Sequence, residues 1–316
     1  MDHGAPEVTV VVATRNRAGR LRALLGTLAA QEGPAVEAVV IDDGSDDSTP
    51  RVLDTTPDGL DLHVIRHERS LGPAASRNEG WRAAHAPLVV FADDDVVVDR
   101  TFAAEFLQAH RQWPDAVLQG LTEANPEELE HSTVFWRSMR VLGVDPFFPT
   151  CNIAYPFELL ERLGGFDEHY RRPAGEDTDL GWRARELGVE PRFVESARAR
   201  HAVHQMGVIP MLKDARRLAD NVRVAKRHPG IRRAYTHGLF WNEAHERLLL
   251  LAAGACAARR SRGVSLLLGL PYVLWYAQHH RGPLRAAVAL PAYAAIDMVQ
   301  MASLVAGSIR YRTLVL

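Results

Sequence analysis

Four short apolar runs, at residues 8–13, 36–41, 62–66 and 88–92, lie in the first third of this 316-residue chain, with helix-length segments between them. They are rich in Val, Ile, Leu and Phe and end in polar residues, as buried strands of a parallel sheet do. The intervening segments carry a different period. Within residues 20–31, Leu21, Leu24, Leu25 and Leu28 repeat at the spacing of one helix face. Residues 72–85 read as a helix led by Gly72 and Pro73, and residues 101–113 as another stopped by Pro114. Ser48 or Thr49 can cap a short helix with Pro50 at its first position. The alternation predicts an α/β fold, a mostly parallel sheet with helices on both faces.

Open α/β sheets bind ligands at the carboxyl ends of their strands, and here those ends are acidic. VIDDGSDDS (40–48) closes the second run and FADDDVVVD (91–99) the fourth. Three adjacent carboxylates, Asp93, Asp94 and Asp95, repel one another and are unfavourable unpaired on a rim. Mg2+ or Mn2+ would relieve the repulsion and bridge to phosphate oxygens; a solvated acidic turn is the plainer alternative. Asp42 and Asp43 precede a glycine turn, where a carboxylate either accepts from a ring N–H or ribose hydroxyl or closes an Asx-turn. TRNR brings Thr14, Arg15, Asn16 and Arg17 to the end of the first run, as base or ribose contacts or as an ordinary βα loop. In LGPAASRNEG (71–80), Arg77 and Asn78 follow from the first helical turns. A third acidic cluster, GEDTDL (175–180), places Glu176, Asp177 and Asp179 together. A helix N-terminus favours acids in any case, and their mutual repulsion raises a carboxyl pKa.

Composition narrows the classes. The 47% apolar content argues against disorder. Two cysteines, Cys151 and Cys256, leave no disulfide framework or Cys-based zinc site, and Cys151 reads as a small buried residue. The start, MDHGAPEVTVVV, has no basic region or cleavage site, so no secretory signal is expected. The net charge of −2 hides an asymmetry: residues 1–212 carry 21 Lys+Arg against 34 Asp+Glu, and residues 213–316 carry 16 against 5. Two domains with these bounds are expected, the acidic one unsuited to nucleic acid.

The second part reads as helical throughout. Residues 213–227 form a basic helix, and apolar stretches follow at 248–258, 264–277 and 284–307. Only the third reaches the ~18 residues needed to span a bilayer, and it contains Arg285, Pro291, Asp297 and Gln300. Asp297, Gln300, Ser303 and Arg310 fall on one stripe, as in a helix lying on a membrane. Arg259, Arg260 and Arg262 lie between two apolar stretches, where they would meet anionic headgroups. The expectation is peripheral attachment to the inner face of the cell membrane, with the site in the cytoplasm; a helical cap or dimerisation region is the alternative.

The rim blocks, together with CNIAYPFELLERLGGFDE (151–168) and GEDTDLGWRARELG (175–188), resemble in order and spacing the GT-A glycosyltransferases of family 2, over roughly residues 8–205. The resemblance implies a Rossmann-like GT-A domain and an enzyme that moves a sugar, with inversion, from a nucleotide-diphosphate donor (UDP-, GDP- or dTDP-linked) to an acceptor hydroxyl. The acceptor would be a saccharide, a lipid-linked or a small molecule. Asp43 and Arg77 would contact the base, with Asp42, Thr14 and Arg17 nearby, and Arg15, Asn16 and Asn78 would complete the donor site. Asp93, Asp94 and Asp95 match the DxD metal motif in either of two registers. Asp177 would be the general base, with Glu176 beside it. His201, which aligns better than His204 within ARHAVHQMG, would complete the metal's coordination. Phe135 and Trp136 would wall the acceptor region or belong to core. Two other readings stand beside this one. A sugar nucleotidyltransferase shares the fold and Asp-held magnesium, but TRNRAGR only faintly matches its phosphate loop. A non-catalytic nucleotide-sugar-binding or membrane-adaptor protein would not need an intact Asp177.

Overall fold

The structure, a computed structural model, describes residues 5–55, 57, 59–170, 173–279 and 283–316, excepting the side chains of 279 and 283–286. The chain forms two compact units, one reaching Glu130 and resuming over Ser138–Val203, the other comprising His131–Arg137 and His204–Leu316. The division follows Val203 rather than residue 212, because the last long strand of the first unit runs to His201.

The first unit is built from β1 (Val8–Thr14), α1 (Ala18–Ala29), β2 (Val36–Asp42), α2 (Thr49–Leu53), β3 (Asp61–Arg66), α3 (Pro73–Arg82), β4 (Leu88–Asp93), β5 (Val96–Val98), α4 (Phe102–Gln112), β6 (Val117–Ala124) and α5 (Pro126–Glu130). After β7 (Trp136–Arg137), which belongs to the second unit, it continues with β8 (Asn152–Pro156), α6 (Phe157–Leu163), α7 (Glu176–Glu186) and β9 (Pro191–His201). Its eight strands form one sheet in the order β3-β2-β1-β4-β8-β6-β9-β5. The four strands expected from the sequence pair in parallel as β3-β2-β1-β4, and β6 with β9 is also parallel. Antiparallel β8 joins the two parallel groups, and β5 hangs antiparallel on β9.

Alternation along β1 explains why both faces are covered. Val8, Val10 and Val12 pack with Leu21, Leu24 and Leu28 of α1 and with Phe102 and Phe106 of α4. Val11 points the other way, among Trp81 of α3, Leu160 of α6 and Leu180 of α7. The parallel strands end together: Thr14 is level with Asp42 across β1 and β2, and Ala13 with Asp93 across β1 and β4. Register alone therefore gathers the acidic turns on one rim.

The second unit contains β10 (His204–Gln205), which pairs antiparallel with β7, then α8 (Val208–Ala215), α9 (Leu218–Arg227), α10 (Glu243–Ala257), α11 (Leu270–His279) and α12 (Pro283–Tyr311). The basic segment 213–227 is split between α8 and α9, with Arg216 and Arg217 at the break, and the stretch 264–277 opens as a 3-10 helix over Val264–Gly269. Phe135 packs on Tyr293 with ring centroids 5.3 Å apart, and the Tyr293 hydroxyl donates to the Val134 carbonyl at 2.9 Å. Both Phe135 and Trp136 are half-buried.

Asp297 and Gln300 of the polar stripe of α12 face inward, while Arg310 at its end is exposed. Asp297, 4% exposed, accepts from the hydroxyls of Tyr272 and Tyr276 at 2.7 Å each. Gln300 meets the ring of His245 at 2.9 Å. Buried polar groups require partners, and these helices supply them to one another. The outer face of α12 carries Val288, Met298, Val305 and Ile309 instead. Residues 287–311 are long and apolar enough to cross a membrane, by length and composition.

Candidate active site

The rim opens with β1 and the turn after β4. Thr14, at the end of β1, is buried and donates its hydroxyl to Asp94 at 2.7 Å. Arg17 reaches Asp94 at 2.9 Å and Asp95 at 2.5 Å through one Nη1. Asp94 nonetheless stays difficult to ionise. Burial, then the charges of Asp95 and Asp93, push it up to about 6, against the pull of Arg17 and Thr14. Arg15 is exposed. Asn16 adopts a left-handed φ of 55° and ties the first two rim loops, accepting from the amide of Asp46 while its own amide donates to Ser45. Thr14, Arg17 and Asn16 thus organise the rim.

Asp42 accepts from the Ser45 amide at 3.0 Å and so closes an Asx-turn. Asp43 is fully engaged: Ser70 Oγ at 2.6 Å, the amides of Leu71 at 2.7 Å and Gly72 at 3.1 Å, and His67 Nδ1 at 2.8 Å surround its two oxygens. Burial alone would raise this carboxyl, but the donors Ser70, His67, Leu71 and Gly72 outweigh it and hold the pKa below the usual range. His67 spans Asp43 and Glu79, with Nε2 2.9 Å from Glu79. Burial would lower its pKa, yet the two carboxylates hold it above the usual range. Sequence reading missed His67 and Ser70, which follow an edge strand and belong to no recognisable motif.

Arg77 joins the two acidic clusters. Its Nη2 donates to Asp93 at 3.1 Å and its Nη1 to Glu176 at 3.0 Å, while the guanidinium lies 5.9 Å from the centre of the Phe166 ring. Asn78 faces the other way. It is 1% exposed, and its amide serves Phe166 N, Phe166 O, Glu168 and Trp81. It anchors the 164–168 loop through both polar atoms of its side chain. The anchored loop turns through Gly164 and Gly165 at φ 72° and 73°, and a Cβ at Gly165 would lie 2.3 Å from Asn78 Oδ1. Arg183, held by Asp179 at 2.8 Å, donates to the carbonyls of Leu163 and Gly165 and locks the same turn.

Glu176 and Asp177 begin α7 behind Gly175, whose φ is 92°. Glu176 is pinned between Arg77 and the Ala174 amide at 2.9 Å. Asp177 is half-buried; its Oδ1 accepts from the Thr178 amide at 2.7 Å, and its Oδ2 accepts nothing from the described residues. Burial first, then the charges of Glu176 and Asp93, push Asp177 up to about 8, with Arg77 and the Thr178 amide opposing. On the far side of the rim, His201 Nδ1 lies 2.9 Å from the Ala202 carbonyl, and Nε2 lies 3.5 Å from Asp95. Cys151 is buried, its thiol pushed well up by burial, and it donates weakly to Thr122.

The rim as a whole sets five carboxylates, Asp93, Asp94, Asp95, Glu176 and Asp177, against the two guanidinium groups of Arg17 and Arg77. It is suited to binding cations and, through them, phosphates.

Comparisons with known proteins bear on the family and the fold. The family described as Glycosyl transferase family 2 matches residues 9–164. Validoxylamine A glucosyltransferase of Streptomyces hygroscopicus subsp. jinggangensis is 31% identical over 221 residues, covering 58% of this chain and 52% of that protein. A pre-mycofactocin glycosyltransferase of Mycobacterium tuberculosis is 32% identical over 209 residues, covering 62% and 42%. The chain spans about half the length of the curated relatives it matches. A mannosyltransferase of Pyrobaculum calidifontis, solved with GDP-Man and Mn2+, shares the fold at a TM-score of 0.58 and 22% identity, over 98% of this chain and 87% of that one. Motif blocks, strand order and sequence match coincide on the unit that carries the rim, and through it the chain belongs to glycosyl transferase family 2, with the GT-A fold.

Proposed function

We propose that the chain is an enzyme that transfers a sugar from a nucleoside diphosphate donor to an acceptor hydroxyl, with inversion at the anomeric carbon. The observation that carries the reading is Asp177, a carboxylate whose Oδ2 accepts no hydrogen bond among the described residues, poised to about 8 and tied through Glu176 and Arg77 to the Asp93 end of the rim. In this reading the acceptor O–H hydrogen-bonds to Asp177 Oδ2. Its oxygen attacks the anomeric carbon, the proton passes to Asp177, and the diphosphate leaves with the electrons of the broken C–O bond. One base and no placed nucleophile fit a single displacement. The donor's base would sit at the end of β2, where a ring N–H competes with Ser70 or His67 for Asp43.

The residues fit a divalent cation. Asp95 and His201 Nε2, 3.5 Å apart, would hold it, with Asp93 a further ligand only by its place in the DxD motif; the hard oxygens suit Mg2+ or Mn2+. Such an ion, when bound, neutralises charge on the diphosphate. Calorimetry with UDP, GDP and dTDP, each with Mn2+ and with EDTA, tests the donor side. Binding is expected only with metal, for one base well above the others. Equal binding in EDTA removes the metal role, and a product with the donor's anomeric configuration removes inversion. Release of pyrophosphate from a nucleoside triphosphate and a sugar phosphate would instead establish the nucleotidyltransferase.

We also propose that the second unit attaches peripherally to an anionic membrane. Asp297 and His245 face inward while Leu249, Leu250, Val264, Leu266, Leu267, Leu270 and Leu274 are exposed, near in sequence to exposed Arg259, Arg260 and Arg262. Exposed apolar surface on this scale marks an interaction face, and each arginine near an anionic surface contributes about 1 kcal/mol. The full chain is expected to sediment with anionic vesicles and to be released by high salt. Indifference to such vesicles at low salt would refute attachment; retention through carbonate would mean that residues 287–311 insert.

A further inference from the structure

A second group of metal-ligating side chains lies at the amino ends of β2 and β3. Glu37 is five residues before Asp42 on β2, so at about 3.3 Å per residue it is roughly 16 Å from the acidic rim. Register places Thr9 of β1, Glu37 of β2 and Asp61 of β3 level with one another. Level residues of neighbouring strands share a face, as do residues two apart on one strand, so His63 joins Glu37 and Asp61. His85, beyond the end of α3, reaches the same spot: its Nδ1 is 2.5 Å from Glu37 Oε1. His63 Nε2 lies 3.5 Å from that same oxygen and 3.3 Å from Asp61 Oδ1.

The carboxylate is fixed as a ligand would be. Glu37 is fully buried, and its second oxygen accepts from Thr9 Oγ1 at 2.6 Å and the His85 amide at 3.0 Å. Those bonds orient Oε1 toward the imidazoles, the task that outer partners perform in metal sites. The imidazoles and Asp61 are exposed enough for an ion to enter, with side-chain exposures of 48% for His63, 66% for His85 and 45% for Asp61. Glu37, His63 and His85 each offer a donor atom within 4.8 Å of the others, two imidazoles and a carboxylate of the kind that hold Zn2+ with a water in the fourth position. With metal–ligand bonds of about 2.0–2.1 Å, a tetrahedron has edges of about 3.3 Å, close to the 3.5 Å between His63 Nε2 and Glu37 Oε1. The His85–Glu37 contact is a hydrogen bond, and it opens by about 0.8 Å when a metal replaces its proton.

We propose that Glu37, His63 and His85 form a Zn2+ site separate from the acidic rim, joining β2 and the edge strand β3 to the segment that enters β4. The test uses the full chain with millimolar Mg2+ present to occupy the rim. Zn2+ is titrated by calorimetry, and Co2+ by its visible absorption, which is intense only in four-coordinate sites. The wild type is expected to bind one Zn2+ outside the rim and to give the four-coordinate Co2+ bands. His63→Ala with His85→Ala, both exposed and so tolerable to the fold, should weaken that site by about 100-fold or more. His201→Ala, which removes a rim donor, should leave it unchanged. Unaltered Zn2+ affinity in the double variant, loss of the site in His201→Ala, or only weak six-coordinate Co2+ absorption in the wild type would each overturn the proposal.

Discussion

Asp177→Asn is expected to lower kcat by about 10²- to 10⁴-fold, the usual contribution of a positioned base, while leaving nucleotide affinity unchanged. The amide keeps the shape of the side chain and its hydrogen bond from the Thr178 amide but cannot take a proton. Because burial and the neighbouring Glu176 and Asp93 push Asp177 up to about 8, the wild-type rate should rise with pH as that group ionises. Stability should move the opposite way. The native state holds a proton that the unfolded chain releases at ordinary carboxylate pH, so stability falls as pH rises from that range to about 8. Asparagine removes this loss, and the inactive variant should melt higher than wild type at mildly alkaline pH. Steady-state kinetics and thermal melts of the two proteins check both halves. Full kcat in Asp177→Asn, or a pH–rate profile shared by the two, would remove the base from Asp177.

Arg77→Met should unfold far more easily, by about 3–5 kcal/mol, the cost of removing one partner from a buried charge pair. Glu176 is 3% exposed, and Asp93 loses its contact at the same stroke. Methionine keeps much of the packing on Phe166, so the loss reports the charge. Adding Glu176→Gln should restore part of it, because the second change removes the stranded carboxylate. Urea unfolding of the single and double variants measures this. A loss below about 1 kcal/mol, the level of an exposed pair, would show that Arg77 does not hold the clusters together.

The parts of this molecule that were legible in its sequence are those governed by local period. The Leu21–Leu28 face, the four parallel strands and the acids at their ends follow from residues a few positions apart. β6 and β9 do not: they pair Val117 with Pro191 through a strand containing Gln119 and Thr122. Nothing local marks such a partner. The same limit applies at the rim. Family-like spacing led to Asp93–Asp95, Asp177 and His201, but it could not tell that Arg17 meets Asp94 from 77 positions away or that Asn78 meets the Phe166 loop from 88. Side chains read as ligand contacts also bond within the chain, as Thr14 and Arg17 do with Asp94. The stripe on α12 adds a further lesson. Periodicity finds a polar face but not its direction, and Asp297 turns toward Tyr272 and Tyr276 because they offer it hydroxyls.

The level endings of β1, β2 and β4 bear on how this domain tolerates change. Thr14, Asp42 and Asp93 are brought together by the hydrogen-bond ladder, so moderate repacking of either core face leaves their spacing intact. A single-residue insertion or deletion within β2 is a different event. It slips the strand by one position, turns every side chain to the opposite face and sends Asp42 away from the rim. Drift in this lineage is therefore expected to be permissive in side-chain volume and intolerant of length change inside these three strands.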